Sequence, residues 1–256
     1  MSQLTIIDMS QEQASPKRKK TRSDKGIVKL TKRDIFLMRW ISEMYAIRFD
    51  HLRILLGRYS ENKARQKEQN VASHSVTKRM IARWERGGIV QRKFFLHGEP
   101  QWVWLTKRGL ELIDHDWKEN PPKVGLLNHS HTVNGVRLYL EERILKGAYM
   151  PYRQVTWIGE RTVMRERRER GRRHIVDGEL HHQGQVIAIE VELTVKSPPR
   201  LASILSELAE DYQTIWYFVT PQTRGAVERA IANRRDGEQK FRVYDLPDLS
   251  RTADEG

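Results

Sequence analysis

The stretch GGIVQRKFFLHGEPQWVWLTKRGLELI, residues 87–113, decides the fold predicted for the first half of the chain. Residues 89–96 and 101–105 are rich in β-branched and aromatic side chains, and residues 97–100, His-Gly-Glu-Pro, form a turn signal between them. The two segments are therefore predicted to pair as a β-hairpin. Residues 106–110, Thr-Lys-Arg-Gly-Leu, open a further helix.

Two helices are predicted near the start of the folded region. Thr31 with Asp34 three residues later resembles a capping box, and apolar residues then recur at helical spacing, which predicts a first helix with one apolar face. A second, short helix is predicted from Asp50, as its N-cap, to Gly57, as its stop. The polar stretch 58–74 is predicted to be a loop.

A third helix, capped by Ser75, carries many of the cations of this half. Val76, Met80 and Trp84 recur at intervals of four residues and are predicted to point inward. The basic residues of this helix are therefore predicted to occupy another face. These residues are Lys78, Arg79, Arg83 and Arg86.

Three helices, a hairpin and another helix follow one another in the order of a winged helix-turn-helix domain, placed at residues 27–116. Residues 87–113 resemble the wing of that superfamily, where a glycine-ended recognition helix leads into an apolar strand and a closing LTxxG turn. The resemblance implies that the third helix enters the major groove of duplex DNA. The residues that it assigns to DNA are Thr77, Lys78, Arg79, Arg83 and Arg86 on the helix, with Arg92 and Lys93 on the wing. The alternative is a winged helix that contacts proteins and whose basic face is merely solvated.

Composition favours a polyanionic partner and restricts metal ligands. The chain has 256 residues, a formal net charge of +13 and a pI near 10.0, which favours nucleic acid or an acidic membrane surface. No apolar run approaches the roughly 20 residues that span a bilayer, and a signal-peptide core is lacking, so a soluble cytoplasmic protein is expected. With no cysteine, disulfides, thiolate zinc sites and cysteine nucleophiles are excluded. Any metal would need Asp, Glu or His ligands.

Composition also indicates where the domains, the linker and the tails of the chain lie. Residues 1–26 include the basic run Lys17–Arg22 and lack the apolar residues needed to fold alone, so they are predicted to be a disordered arm. The arm is either a DNA-contacting segment or a solvating tail. Paired prolines mark residues 117–125 as a linker. A second domain is predicted at 126–246, followed by a tail at 247–256.

The second domain is predicted to alternate helices with strands. The predicted order is a helix at 126–145, strands at 149–157, 174–180 and 186–193, a helix at 198–209, a strand at 214–220, a helix at 224–233 and a strand at 240–246. This order is typical of an α/β sandwich with a mixed sheet. The predicted fold class is therefore a two-domain α+β protein, a winged helix-turn-helix followed by an α/β sandwich.

Three acids form the candidate site of this half. Asp177 lies in HIVDGEL (174–180), and Glu190 and Glu192 lie in IAIEVELTVKS (187–197). Residues two apart on a strand project from the same face, so Glu190 and Glu192 both meet Asp177 if the two strands pair in the right register. Such a cage of oxygens suits a divalent cation, Mg²⁺ or Mn²⁺.

The element order and the three acids resemble the core of the PD-(D/E)xK nuclease superfamily. The resemblance implies that Asp177 and Glu190 hold one or two Mg²⁺ ions for phosphate cleavage, with Glu192 as a third ligand or the base. Glu192 occupies the position where the family has a lysine. Lys196, four residues later, is a candidate to reach back to the site in place of that lysine. Two alternatives stay open, an active metal-dependent endonuclease and a nuclease-like domain used for assembly.

Residues 160–173, ERTVMRERRERGRR, contain more arginine than glutamate. They are predicted to form a phosphate clamp beside the acids, with Arg167 and Arg168 as contacts. The alternative is a solvated charged face.

Much of the chain resembles the replication-relaxation family of plasmids and integrative elements, which joins a winged helix to a domain with a PD…ExE-like pattern. The segments that carry the resemblance are HSHTVNGVRLYLEE (129–142), HIVDGEL, IAIEVELTVKSPPRL and YFVT (217–220). It implies a duplex-DNA-binding protein of plasmid or mobile-element replication, relaxation or transfer, with other replication or transfer proteins as further partners. The alternatives are a Mg²⁺-dependent endonuclease targeted by the winged helix, and an interaction module that binds RNA or an acidic protein. A homodimer and a monomer both stay open.

Two histidine pairs are not assigned to any of these sites. His129 and His131 lie near a helix start, where residues two apart point to different faces, and His181-His182 is predicted to lie in an exposed turn. No phosphate-binding GxxxxGK[ST] loop occurs, so ATP hydrolysis is not predicted.

Overall fold

The computed structural model describes residues 29–59, 71–145, 155–166 and 173–248. The predicted arm and most of the predicted tail lie outside these ranges. Within them the chain is mixed α/β, with nine α-helices, a three-stranded sheet and a five-stranded mixed sheet. None of the described helices combines the length and the apolar character that crossing a bilayer requires.

The first half contains the predicted helices and hairpin. Its elements are α1 (Lys32–Glu43), β1 (Ala46–Arg48), α2 (Phe49–Arg58), α3 (His74–Arg86), β2 (Val90–Lys93), β3 (Trp102–Leu105) and α4 (Lys107–Glu111). Strands β2 and β3 form the predicted antiparallel hairpin, and β1 pairs antiparallel with the other edge of β3. β1 was not predicted, because three residues are too few to show an alternating pattern.

Side-chain caps explain where the first helices begin. Thr31 and Asp34 form the predicted capping box, with Thr31 N donating to Asp34 Oδ2 at 2.8 Å and Asp34 N donating to Thr31 Oγ1 at 3.2 Å. The prediction that Ser75 caps α3 is wrong, because Ser73 is the N-cap and accepts from the backbone three residues later. Asp50 likewise lies in the first turn of α2 and not at its N-cap.

The second half contains the predicted order of helices and strands, with two short helices in addition. After a 3-10 turn at Val124–Leu126, its elements are α5 (Leu127–Leu145), β4 (Val155–Gly159), α6 (Glu160–Glu166), β5 (Gly178–His182), β6 (Gln185–Glu192), α7 (Pro198–Asp211), β7 (Thr214–Val219), α8 (Pro221–Ala232), α9 (Gly237–Lys240) and β8 (Phe241–Asp245). The strand order is β4-β5-β6-β7-β8. β5 is antiparallel to both of its neighbours, whereas β6, β7 and β8 run parallel.

The two histidines predicted to lie in a turn instead end strand β5. His181 pairs with Val186, and the tight turn is made by Gln183 and Gly184, whose φ angles are 49° and 77°. Two successive positive φ angles match the twist of a two-residue hairpin. His181 Nε2 lies 2.9 Å from Glu179 Oε2, so this histidine is paired within its own strand.

One hydrophobic core joins the two halves. It includes Trp40, Leu52 and Trp84 from the first half together with Val136 and Ile189 from the second. A second cluster fills the space between the other face of the five-stranded sheet and helices α7 and α8. Both faces of that sheet are therefore covered, by α5 on one side and by α7 and α8 on the other.

Polar contacts reinforce the packing of α5 against the first half. Trp40 Nε1 donates to Glu141 at 3.1 Å, and Asn134 Nδ2 donates to Ala46 O at 2.9 Å. Asn134 is fully buried, so its hydrogen bond offsets the cost of removing an amide from water. The predicted linker at 117–125 thus connects two halves that pack directly on each other.

Candidate nucleic-acid interface and acidic cluster

Helix α3 buries one face and leaves cations exposed on the rest. Ile81 and Trp84 are fully buried in the shared core. Lys78, Arg79 and Arg86 are exposed. An amphipathic helix of this kind is anchored by its apolar side chains and can present its long basic side chains to a polyanion.

Two residues predicted to contact DNA make contacts within the fold. Thr77 is fully buried, and its hydroxyl donates to Ser73 O at 3.1 Å, so it has no exposed surface for a base edge. Arg83 forms an ion pair with the fully buried Asp34 carboxylate, which also accepts from Trp84 Nε1 at 3.0 Å. Because a buried carboxylate needs a compensating cation, Arg83 serves stability first.

The hairpin places further cations beside α3. Arg92 Nε of β2 lies 3.1 Å from Glu85 Oε2 of α3, with the two side chains 35% and 40% exposed. Lys93 is exposed, and its Nζ lies 5.4 Å from the centre of the Phe95 ring. We call the exposed cations of α3 and β2 the α3–wing surface. It consists of Lys78, Arg79, Arg86, Arg92 and Lys93.

The predicted arginine clamp is described only at its start. Arg167 and Arg168 lie outside the described residues. Within α6, the Arg161 guanidinium carbon lies 4.4 Å from the centre of the Trp117 ring, and Arg161 donates to Lys118 O. This arginine therefore packs on the segment that joins the two halves.

The strand register brings two of the three predicted acids together. Asp177 directly precedes β5, and because Gly178 pairs with Ile189, Asp177 lies opposite Glu190. Val191 N donates to Asp177 Oδ2 at 2.7 Å, which fixes the carboxylate against β6.

Glu190 is a buried acid with an unused oxygen. The residue is 6% exposed, its Oε2 lies 3.0 Å from His174 Nε2, and its Oε1 has no hydrogen-bond partner among the described residues. Burial raises the pKa of Glu190 to about 7, and the nearby charge of Asp177 adds to the shift. Burial opposes protonation of His174, but the Glu190 carboxylate outweighs it and raises the pKa of His174.

Glu192 is held by a lysine from the following segment. The Lys196 ammonium reaches back and contacts Glu192 Oε2. Glu192 is 5% exposed, so this ion pair compensates a charge that would otherwise be buried alone. A lysine ammonium is thus present beside β6 although position 192 holds glutamate.

A histidine of α5 completes the surroundings of Asp177. His129 Nε2 lies 2.7 Å from Asp177 Oδ1, and this hydrogen bond outweighs burial and raises the pKa of His129. His129 and Asp177 line a cavity of about 40 Å³ together with Glu43, Tyr45 and Glu160. Burial, followed by the charge of Asp177, raises the pKa of Glu160. The cavity has room for a few waters or one ion, but not for an organic substrate.

From the sequence, neither His129 nor His131 was assigned to a site, so it was not predicted that His129 lies beside Asp177. A signal was present, because His129 stands four residues before the inward-facing Val133 and so shares the buried face of α5. His131, two residues on, points to another face as predicted and stacks on His51.

Asp50, His51 and His131 have the proximity of a metal site but not its orientation. Their candidate ligand atoms lie within 4.8 Å of one another. The two imidazole rings are stacked, with centroids 3.9 Å apart and planes 16° apart, so their lone pairs lie in two separate, nearly parallel planes and do not converge on one ion. Arg48 donates to Asp50 Oδ2 at 2.6 Å and lies 2.8 Å from His131 Nε2. A cation of the protein itself therefore holds this group.

Among the described residues, Asp50, His51 and His131 are the only three Asp, Glu or His residues whose ligand atoms lie within 4.8 Å of one another. Asp177, Glu190 and Glu192 therefore do not form the predicted three-carboxylate cage. In the strand register Asp177 lies opposite Glu190, whereas Glu192 is two residues further along β6, where Lys196 contacts its Oε2. The remaining pair, Asp177 and Glu190, has a buried oxygen without a partner and fits a divalent cation whose other ligands are water.

Comparison of the chain with protein-family models, with curated protein sequences and with solved structures finds no match. The geometry of the chain offers two candidate functional features, the α3–wing surface and the pair Asp177 and Glu190.

Proposed function

We propose that this chain binds duplex DNA through the α3–wing surface, in the manner of a winged helix-turn-helix domain. The observation that carries the proposal is a group of exposed cations on one helix and the strand beside it. The order of α1, α2, α3, the β2–β3 hairpin and α4 supports the same domain type. Each cation that meets a phosphate displaces condensed counterions, which is the main driving force of such binding.

The dimensions of α3 suit a groove of DNA. The helix has 13 residues, which corresponds to a length of about 20 Å, and the major groove is about 12 Å wide. In this arrangement Lys78 and Arg79, near the N-terminal end of α3, lie closest to base edges, and Arg92 and Lys93 meet the phosphate backbone.

The proposed setting is the DNA metabolism of a plasmid or mobile element, in replication, relaxation or transfer. The resemblance of the chain to the replication-relaxation family supports this setting. The proposed second domain is a PD-(D/E)xK-like sandwich, supported by the strand register that places Asp177 opposite Glu190. Because the halves share a core, DNA on α3 would be held in a defined relation to these acids.

Fluorescence anisotropy of a labelled duplex, titrated at several salt concentrations, tests the proposal. The double substitution Arg92→Gln and Lys93→Gln is expected to weaken binding and to reduce the slope of log K against log salt by about 1.8, since each phosphate contact contributes about 0.9. The matched control removes two exposed cations of the second half, Arg229 and Arg235, by substitution with glutamine. Equal salt slopes for both double variants would place the DNA site elsewhere.

A second candidate function is metal-dependent cleavage of the bound DNA. The observation that favours it is Glu190 Oε1, buried without a partner beside Asp177. Asp177 and Glu190 would hold the cation, and His129 would orient Asp177. A divalent cation bound there would polarise a scissile phosphate. Lys196 would place a positive charge beside the same strand.

Nicking of a supercoiled plasmid in Mn²⁺ or Mg²⁺ tests this second candidate. Glu190→Gln is expected to abolish nicking and to weaken Mn²⁺ binding measured by calorimetry. Glu228→Gln, which alters an exposed acid of α8, is the control and is expected to change neither quantity. Nicking that is absent with every metal, or unchanged in Glu190→Gln, rules out cleavage at this site and leaves DNA binding untouched.

A further inference from the structure

A pocket separates the N-terminal end of α3 from the hairpin. Its volume is about 660 Å³, within the range of about 300–1,000 Å³ found for sites that hold organic ligands. It shares Lys78 with the α3–wing surface, so DNA bound to that surface would lie over the pocket. The lining includes Phe49, His74, Lys78, Phe94, Glu99 and Gln101.

Phe94 is an exposed aromatic side chain that lines the pocket. At 66% exposed, it is the most exposed large hydrophobic side chain among the described residues. It directly follows the cation Lys93, whereas its neighbour Phe95 packs near Trp104, with ring centroids 6.2 Å apart. An exposed ring beside phosphate-binding cations is the arrangement used to stack unpaired bases.

The interior of the pocket offers both stacking and polar groups. The rings of Phe49 and His74 form a tilted pair with centroids 5.3 Å apart. Gln101 is 7% exposed, and its side-chain amide makes no hydrogen bond within the described chain. A glutamine amide offers one donor and one acceptor, which matches the edge of a base such as adenine.

The acids that border the pocket are already neutralised. Arg48 contacts Asp50 Oδ2 at 2.6 Å and lies 3.7 Å from Glu99 Oε2. Lys78, which also lines the pocket, is exposed and has no acidic partner among the described residues. A phosphate at Lys78 therefore meets a cation without strong repulsion from these carboxylates.

We propose that this pocket receives one unpaired base of the bound DNA, stacked on Phe94, with the adjoining phosphate at Lys78. This inference rests on the proposed DNA binding and defines its substrate class as duplex DNA with an unpaired base. Taking up such a base costs little, because no base pair has to be broken first.

The test uses anisotropy with three labelled duplexes that differ at one position. One is fully paired, one has a single unpaired adenine, and one has an abasic residue at the same bulge. The wild-type chain is expected to bind the adenine bulge about tenfold more tightly than either of the others, as base–aromatic stacking allows. Phe94→Ala is expected to lose this preference and to keep its affinity for the paired duplex. Leu96→Ala, which alters an exposed residue of the same hairpin outside the pocket lining, is expected to behave as wild type.

Equal binding of the adenine and abasic bulges by the wild-type chain would overturn this inference. A Phe94→Ala variant that keeps the full preference would also overturn it. Both results leave the proposed function standing, provided that the paired duplex is bound with a steep dependence on salt. No salt-dependent binding to any of the three duplexes would contradict the proposed function, and this inference with it.

Discussion

Acidification is expected to destabilise the protein through His51. This residue is 4% exposed and stacks on His131. Burial, with a smaller contribution from His131, lowers the pKa of His51 to about 3, whereas an unfolded histidine has a pKa of about 6.5. The unfolded chain therefore binds the proton first. The stability contributed by neutral His51 is fully present above about pH 6.5 and is lost as the pH falls toward the folded pKa.

The size of the effect follows from the two pKa values. At about pH 5 an unfolded histidine is almost wholly protonated while His51 in the folded chain stays neutral, a difference of about 2 kcal/mol. This value depends mainly on the pKa of the unfolded state, because His51 is far from titrating at this pH. It is a large part of the roughly 5–15 kcal/mol that stabilises an ordinary domain.

Urea unfolding followed by tryptophan fluorescence, at about pH 7.5 and about pH 5, measures this effect. Phenylalanine keeps a ring for stacking and does not titrate. On going from about pH 7.5 to about pH 5, the free energy of unfolding of His51→Phe is therefore expected to fall by about 2 kcal/mol less than that of wild type. His97 lies exposed in the hairpin turn, and His97→Gln, the control, is expected to follow wild type. An equal pH dependence for His51→Phe and wild type would refute the reasoning.

Two further substitutions test the packing beneath the α3–wing surface by urea unfolding. Arg83→Gln is expected to lower the free energy of unfolding by about 2 kcal/mol, because it removes the cation that compensates the buried Asp34 carboxylate. Arg79→Gln, an exposed cation on the same helix, is the control, with an expected change within about 0.5 kcal/mol. Gly109→Ala is expected to cost about 1–3 kcal/mol, because an added Cβ would lie 2.2 Å from Ile89 O. Wild-type stability in either test variant would contradict these contacts.

Features that depend on neighbouring residues could be predicted from the sequence. The capping box at Thr31 and the hairpin turn at 97–100 depend on a few adjacent side chains, and both are present. Short elements gave weaker signals. Strand β1 is three residues long, and Ser75 was predicted to cap α3, whereas the extended backbone of an N-cap occurs two residues earlier at Ser73.

The candidate site could be predicted only where one pair of strands forms it. Asp177 and Glu190 were expected to meet if β5 and β6 paired in register, and they do. The spacing of His129 from Val133 indicates the buried face of α5, but the contact of His129 with Asp177, 48 residues later, depends on how α5 packs on the sheet. The burial of Thr77 was missed although Thr77 stands three residues before Met80 and four before Ile81, which are both buried on the same face of α3.

The location of bound DNA tests the proposed α3–wing surface most directly. Because the chain has no cysteine, Ser75→Cys on α3 and Ala232→Cys on α8 each introduce a single attachment point for a photoactivatable crosslinker. Both positions are exposed. Crosslinking of a labelled duplex is expected from position 75 and not from position 232. Efficient crosslinking from position 232, with none from position 75, would contradict DNA binding by α3.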